Sequence, residues 1–208
     1  MDLPEGIYVH SVTDAGVPPD AAARFLAPEE LDRWERFGLE KRRREFLLGR
    51  VALRTLLADR FEGEPVTFPV RVADDGAVEL PATGWGASVA HSGDRAVAAI
   101  NAAGPIGVDI ERVQPRHAGL PGFLLHPGEK LLLDTGDPDD TLILVWTLKE
   151  AVLKAMRTGF RTSPKHLKVD LDPPAGRATV TVKEQQLWQA RFEKRDAYYV
   201  SVAFQAAP

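Results

Sequence analysis

The sequence has no cysteine among its 208 residues. This absence excludes disulfide bonds and thiolate zinc sites, so carboxylates and five histidines are the candidate metal ligands. The sequence also has no apolar run approaching the ~18 residues of a membrane-spanning helix. The first five residues lack the basic start and apolar core of a signal peptide. From these absences we expect a cytoplasmic protein.

An excess of positive charge is also missing, because the formal net charge is −4 at pH 7. General nucleic-acid binding is therefore disfavoured, since it depends on a basic surface. The hydrophobic content of 44% and the charged content of 27% are near the averages of globular proteins. A chain of this length is expected to form one globule or two closely packed halves.

One stretch, from Gly107 to Glu111, alternates two acids with two β-branched apolar residues. Strand side chains alternate between faces, so Val108 and Ile110 should face the core. Asp109 and Glu111 then project together from the other face. Two adjacent carboxylates repel each other unless a positive group lies between them, which makes this strand a candidate cation site. A strand edge with a solvated acidic face is the alternative.

A second pattern follows downstream and has the period of an amphipathic helix. Its apolar face comprises Val145, Leu148, Val152 and Ala155. The opposite stripe comprises Trp146, Glu150, Lys154 and Arg157. Glu150 and Lys154 could form an ordinary surface pair worth ~0.2–0.5 kcal/mol. The aromatic Trp146 on the same stripe argues against a face that is merely solvated.

Together, Gly-Val-Asp-Ile-Glu and the later Trp-x-x-Lys-Glu-Ala-x-x-Lys resemble the paired motifs of the 4'-phosphopantetheinyl transferases. The closer match is the longer single-chain type often called Sfp-like, and the resemblance extends from about residue 40 to about residue 160. It implies an α+β fold of two similar, pseudo-twofold halves, each with antiparallel strands packed on a long helix. We place the N-terminal half at residues 1–104 and the C-terminal half at residues 105–208.

The resemblance also implies an activity. Such an enzyme transfers the 4'-phosphopantetheine arm of coenzyme A to a serine of an apo acyl or peptidyl carrier protein and releases 3',5'-ADP. The expected metal ligands are Asp109, Glu111 and Glu150, whose oxygens suit Mg²⁺ together with a substrate phosphate. Lys154 and Lys149 would complete the clamp on the phosphates, and Glu150 would assist deprotonation. Since both halves belong to one chain, we expect a monomer.

The most basic segment starts at Lys41 and continues into a helix. Helical spacing places Arg43, Arg50 and Arg54 on one stripe. Guanidinium groups bind phosphate oxygens bidentately, and family members carry basic residues here that contact coenzyme A. We therefore expect these three arginines to bind coenzyme A. A solvated charged helix face is the alternative for any one of them.

His91 lies where family members have a histidine that contacts a coenzyme A phosphate, although a lone histidine is more often structural. The serine that often precedes it is replaced by Ala90. We expect strands at 95–100 and 105–111 to form a hairpin that brings His91 near Asp109.

Two further positions compare differently with the family. Many members have Gly-Lys-Pro near the turn at Gly76, and this chain has no lysine there. Either another basic residue substitutes or the adenine end of coenzyme A is held less tightly. Glu129 resembles a family acid that could assist deprotonation or carrier docking. It could equally be an ordinary acid in the first turn of a helix.

The C-terminal quarter alternates apolar and polar residues, which indicates strands at 167–171, 178–182, 187–192 and 198–204. We expect a half-buried antiparallel sheet there, and a helix cap at Gly159 before it. Two other functions remain open at this point. One is a non-catalytic scaffold of the same fold, and the other is a different Mg²⁺-dependent enzyme that cleaves pyrophosphates.

Overall fold

The computed structural model describes residues 1–134, 136–183 and 185–206. Its strands are Ile7–Thr13 (β1), Arg71–Val72 (β2), Val78–Glu79 (β3), Gly86–Ser92 (β4), Arg95–Asn101 (β5), Ile106–Arg112 (β6), Leu167–Asp172 (β7), Arg177–Val182 (β8), Gln186–Arg195 (β9) and Tyr198–Phe204 (β10). Its α-helices are Ala21–Phe25 (α1), Pro28–Glu35 (α2), Glu40–Phe61 (α3), Leu120–Leu124 (α4) and Pro138–Ala155 (α5). Within these ranges every helix is too short or too polar to cross a lipid bilayer.

The strands form two antiparallel sheets with the same internal order. The five-stranded sheets are β1-β5-β4-β3-β2 and β6-β10-β9-β8-β7. In each, the first strand pairs with the last, and the long helix, α3 or α5, follows the first strand. The predicted α+β fold of two similar halves is confirmed. The predicted division after residue 104 falls between β5 and β6, while residues 207 and 208 lie outside the described part.

The predicted hairpin of residues 95–100 with 105–111 is wrong. Both edges of β5 are taken, by β1 and β4, so β6 pairs with β10 in the other sheet. β6 nevertheless lies beside β4 where the halves meet. The Val108 N–H donates to Ser88 Oγ at 3.1 Å, and the Arg112 N–H donates to Ser92 Oγ at 3.3 Å. The expected proximity of the two segments therefore comes from sheet packing.

The junction of the halves is an apolar core. Val108 and Ile110 of β6 pack there with Val200 and Val202 of β10 and with residues of β1 and β5. The other face of β10, including Tyr199, packs in the core around α5. All seven residues of β10 are consequently buried. The predicted half-buried sheet is wrong for this strand, because its alternating faces meet two different cores.

α5 approaches β6 unusually closely at Gly107. A Cβ added at Gly107 would lie 1.8 Å from the carbonyl oxygen of Ala151, so no larger residue fits without displacing the helix. The predicted apolar helix face is confirmed, with Val145, Leu148 and Val152 fully buried. This close packing sets the polar stripe of α5 against the acidic strand.

The end of α5 differs from the sequence-based expectation. The Arg157 N–H donates to the Lys154 carbonyl at 3.0 Å, and the Thr158 N–H donates to the Leu153 carbonyl at 3.2 Å. This Schellman arrangement places Arg157 at the left-handed position, with φ 55°. The cap predicted at Gly159 is therefore wrong, since Arg157 occupies the position where glycine is usual.

Candidate active site

The predicted acids gather where β6 meets α5. Asp109 is only 6% exposed because its side chain points from β6 towards the helix. The Lys154 ammonium donates to Asp109 Oδ1 at 2.7 Å and to the Val108 carbonyl at 3.2 Å. The helical stripe and the acidic strand predicted from sequence are thus joined by a direct ion pair.

Negative charge is concentrated at this point. Burial raises the pKa of Asp109 to about 6, against the attraction of Lys154, and the charge of Glu111 adds to the rise. Burial also raises the pKa of Glu150 to about 7, with the charges of Asp109 and Glu111 adding to it and Lys154 opposing it. A bound cation would relieve the repulsion among these carboxylates.

The donor set fits an open magnesium site. Asp109 Oδ2 is buried and has no hydrogen-bond partner in the described part of the chain. Glu111 is held by Arg116 at 2.6 Å and by the Ser92 hydroxyl at 3.2 Å. Among residues 1–134, 136–183 and 185–206, no three His, Asp or Glu side chains converge to hold an ion. The three predicted ligands therefore do not form a preformed cage, and Mg²⁺ bound here would need waters and substrate phosphates as further ligands.

His91 lies close to these acids, at the end of β4. Its Nδ1 is 3.7 Å from Glu45 Oε1 of α3, and its side chain is 44% exposed. Burial lowers the pKa of His91, with Glu45 opposing this effect and Lys154 adding to it. The imidazole is therefore neutral near pH 7 and can donate or accept a hydrogen bond. The N-terminal half thus supplies a polar side chain to the acidic site.

A large cleft opens beside Lys154. Its volume is about 920 Å³, and it is lined by the segment from β3 to β4, the connection before β6 and the end of α5. Its cationic lining residues are Arg71, Lys154, Arg157 and Arg161. Sequence reasoning did not assign Arg71, Arg157 or Arg161 to a site, although Arg157 belonged to the predicted polar stripe.

Family models match both halves of the chain. Residues 105–203 match a model described as the 4'-phosphopantetheinyl transferase superfamily. Residues 35–101 match a model described as the 4'-phosphopantetheinyl transferase N-terminal domain. The chain belongs to this superfamily. The match to the N-terminal domain agrees with the longer type expected from the motifs.

Individual relatives in the superfamily are distant. A putative 4'-phosphopantetheinyl transferase of Synechocystis sp. is 31% identical over 156 residues, which cover 71% of this chain and 63% of that protein. The 4'-phosphopantetheinyl transferase of Bacillus subtilis is 26% identical over 158 residues, covering 74% and 70%. The chain spans less than two thirds of the Synechocystis relative, so we state the activity of the whole protein as a proposal.

Among solved structures, the chain is similar to the Helicobacter pylori holo-[acyl-carrier-protein] synthase in complex with coenzyme A. The match has 20% sequence identity and a TM-score of 0.38, and it covers 47% of this chain and 96% of the Helicobacter pylori chain. The strand order of the two sheets, and not this likeness, establishes the fold of the present superfamily member.

Two of the predicted coenzyme A ligands, Arg50 and Arg54, lie in the interior of the protein. Arg50 is 5% exposed and Arg54 is 1% exposed. Both bind the buried Glu30, at 2.6 and 2.8 Å, and Arg54 also donates to the Phe25 carbonyl. The expectation that they face a ligand is not met, because their charge is used to hold α1 and α2 against α3.

Arg43 also has internal partners. It donates to the carbonyl oxygens of Phe37 and Glu35, both at 2.8 Å, at the end of α2. Trp34 in turn donates to the Arg43 carbonyl at 3.0 Å. These contacts join α3 to the end of α2, but Arg43 is only half-buried, so the prediction that it binds coenzyme A stays a prediction.

Lys149 is also an interior cation, whereas the Lys154 side chain is partly exposed. Lys149 is fully buried, and its three N–H donors are used by the Leu124 carbonyl at 2.8 Å, Glu129 Oε2 at 2.6 Å and the Pro164 carbonyl at 3.2 Å. A phosphate cannot reach an ammonium group that is enclosed on all sides. The expected phosphate contact of Lys149 is thus not compatible with its placement. Glu129 is 1% exposed, so it does not face a docking carrier either.

Proposed function

We propose that this protein transfers the 4'-phosphopantetheine arm of coenzyme A to a serine hydroxyl of an apo acyl or peptidyl carrier protein and releases 3',5'-ADP. Superfamily membership supports this reaction class. The observation that carries the proposal is the position of Asp109: one carboxylate oxygen accepts from Lys154, and the other is buried without a hydrogen-bond partner among the described residues. This arrangement lies at the side of a cleft of about 920 Å³, a volume within the usual range for small-molecule and cofactor sites.

In this proposal Asp109, Glu111 and Glu150 hold Mg²⁺, with Asp109 as the central ligand. The ion supplies charge neutralisation for the pyrophosphate and for the leaving phosphate. Asp109 also orients Lys154, whose side chain lies on the cleft wall and is 33% exposed. Lys154 can therefore bind a phosphate oxygen without losing its ion pair.

The remaining roles follow from position. Glu150 is half-buried on the same stripe as Lys154, and we propose it as the group that accepts the proton of the carrier serine. His91 is neutral and accessible, so it donates a hydrogen bond to a phosphate. Arg50, Arg54 and Lys149 are assigned to the fold and not to coenzyme A, whereas the half-buried Arg43 is kept as a proposed coenzyme A ligand.

Intact-mass spectrometry of several apo carrier proteins tests the proposal directly. Each carrier is incubated with this protein, coenzyme A and MgCl₂, and a parallel sample contains EDTA. The expected result is a mass gain of one phosphopantetheine on at least one carrier, lost in EDTA. Modification of fatty-acid, polyketide or nonribosomal-peptide carriers would then report specificity.

Other outcomes distinguish the alternatives. Release of 3',5'-ADP from coenzyme A without a carrier would indicate a pyrophosphate-cleaving enzyme. Binding of coenzyme A with no transfer to any carrier would indicate a non-catalytic scaffold. We also propose a cytoplasmic monomer, and a stable dimer on size-exclusion chromatography would contradict the monomer.

A further inference from the structure

One arginine connects the two halves across the mouth of the cleft. Arg157 follows α5, and its Nε and Nη2 donate to the two oxygens of Asp75 at 2.9 and 3.1 Å. Its Nη1 donates to Glu79 at 2.8 Å. Both acids belong to the β2–β3 segment of the first half, and all three residues line the cleft. The guanidinium therefore lies at the rim and not in the core.

The backbone of Arg157 is unusual for a non-glycine residue. Its φ of 55° is left-handed, where a Cβ is crowded against the following carbonyl and glycine has no such cost. The left-handed conformation is that of the Schellman cap of α5, and it makes Arg157→Gly a substitution without backbone strain. The Arg157 side chain is 44% exposed, so a ligand in the cleft can reach it.

The contacts of Arg157 are exchangeable. Glu79 also accepts a hydrogen bond from Arg71 Nε at 2.9 Å, so it keeps a cation if Arg157 leaves. Asp75 also accepts the Ala77 N–H at 3.0 Å and is 28% exposed. Release of Arg157 thus leaves no buried charge without a partner. Because Arg157 is 44% exposed and the two acids are 28% and 24% exposed, a phosphate from solution can reach the guanidinium and compete with them.

We propose that Arg157 binds a phosphate of the nucleotide portion of coenzyme A, and that Asp75 and Glu79 hold its guanidinium until that phosphate replaces them. The inference rests on the proposed function, because it assigns a further residue to the same cleft. In this proposal the carboxylates of Asp75 and Glu79 take the place on the guanidinium that the phosphate oxygens of coenzyme A would take. An arginine side chain can bind two phosphate oxygens at once. Arg71, Lys154 and Arg161 line the same cleft, so its charged lining residues are four cations and two acids, an excess that favours an anionic ligand.

A purely structural bridge between the halves is the competing role. Arg157→Gly separates the two, because glycine adopts the left-handed backbone without strain and folding is preserved. Calorimetric titration with coenzyme A and with 3',5'-ADP should show affinity about tenfold weaker for the variant, the size of one lost charge-assisted contact. Arg177→Ala removes a comparably exposed arginine, paired with Asp172 at 2.8 Å, and should leave both affinities unchanged. Equal affinities in wild type and Arg157→Gly would overturn the inference.

Removing the competing acids gives a second test. The double substitution Asp75→Asn with Glu79→Gln frees Arg157, so coenzyme A affinity should rise. Loss of two negative charges helps any anion, and the same double substitution in the Arg157→Gly background measures that general effect. The gain should be at least about threefold larger when Arg157 is present, as expected for residues that share contacts. Equal gains in the two backgrounds would overturn the inference.

The outcome for the wild-type protein separates this inference from the proposed function. If the wild type transfers phosphopantetheine, Arg157→Gly should raise the KM for coenzyme A while kcat changes little. If the wild type transfers but the variant has the same KM, only the assignment of Arg157 fails. If the wild type binds no coenzyme A, the proposed function fails and the assignment fails with it.

Discussion

The two halves of the molecule have the same frame but carry different side chains at equivalent positions. β1 and β6 are both seven-residue strands. The first residue of each pairs with the last residue of the final strand of its sheet, β5 or β10. The second residue is Tyr8 in one and Gly107 in the other, and the fourth is His10 in one and Asp109 in the other. The glycine lets α5 approach, and the acid meets that helix. One copy of the frame therefore carries the carboxylates.

The halves share one polar device as well. Leu-x-Pro-x-Glu occurs at residues 26–30 and again at residues 125–129. Each glutamate accepts the backbone N–H three positions before it and binds a buried cation of the long helix of its half, Arg50 or Lys149. Both ion pairs join residues 20 positions apart. The comparison assigns Arg50 and Lys149 to the duplicated frame, whereas Lys154 and Asp109 belong to the proposed site, which is not duplicated.

The largest effect on stability is expected from breaking these buried ion pairs. Lys149→Met should lower the free energy of unfolding by about 3–5 kcal/mol, because Glu129 would remain buried without a cation. Glu30→Gln should have an effect of similar kind in the first half, where Arg50 and Arg54 would lose their partner. Urea unfolding measures both changes.

Lys130→Met is the matched control, since Lys130 is exposed one residue after Glu129. It should change the free energy of unfolding little. If Lys149→Met were as mild as this control, the buried pair would not be what holds the α4 region beneath α5.

A smaller effect is expected at the residue that distinguishes the two first strands. Gly107→Ala should destabilise the protein by about 1–3 kcal/mol, since its Cβ would overlap the Ala151 carbonyl and push α5 from β6. Gly122→Ala is the control, because no atom lies within 4 Å of a Cβ built there. Equal unfolding midpoints for the two variants would show that the close approach is not required.

The smallest effect concerns the contact between the halves. Ser88→Ala should cost about 1 kcal/mol, because the buried Val108 N–H loses its acceptor. Ser11→Ala, at an exposed position of β1, should have almost no effect. Thermal unfolding compares the two, and a Ser88 variant as stable as the Ser11 variant would mean that the β4–β6 contact depends on apolar packing alone.

Local periodicity was enough to predict strand β6, helix α5 and their facing polar residues, whereas the fold of two similar halves was expected from the resemblance to the 4'-phosphopantetheinyl transferases. The period of two in β6 and the helical period of α5 are properties of a few neighbouring residues. They placed Val108 in the core and put Asp109, Glu150 and Lys154 on facing surfaces. The roles proposed for these three residues remain to be tested.

Tertiary partners explain what local periodicity missed. A helical stripe does not reveal that Arg50 and Arg54 meet Glu30, or that Lys149 meets Glu129, because those acids come from separate segments. Alternation likewise looks the same in a strand with one solvated face and in β10, which has both faces buried. The repeated Leu-x-Pro-x-Glu was the one signal in the sequence that could have identified the buried pairs.

The central claim is that the proposed metal-binding carboxylates belong to only one of the two similar halves, and substitution of equivalent residues tests it most directly. Asp109→Asn and His10→Asn alter the fourth residue of β6 and of β1. Each variant is incubated with apo carrier protein, saturating coenzyme A and MgCl₂, and the carrier is weighed by intact-mass spectrometry. We predict no phosphopantetheine gain with Asp109→Asn, whose fold stays intact because repulsion among acids is reduced, and full gain with His10→Asn. Retained turnover in a folded Asp109→Asn variant would contradict the account.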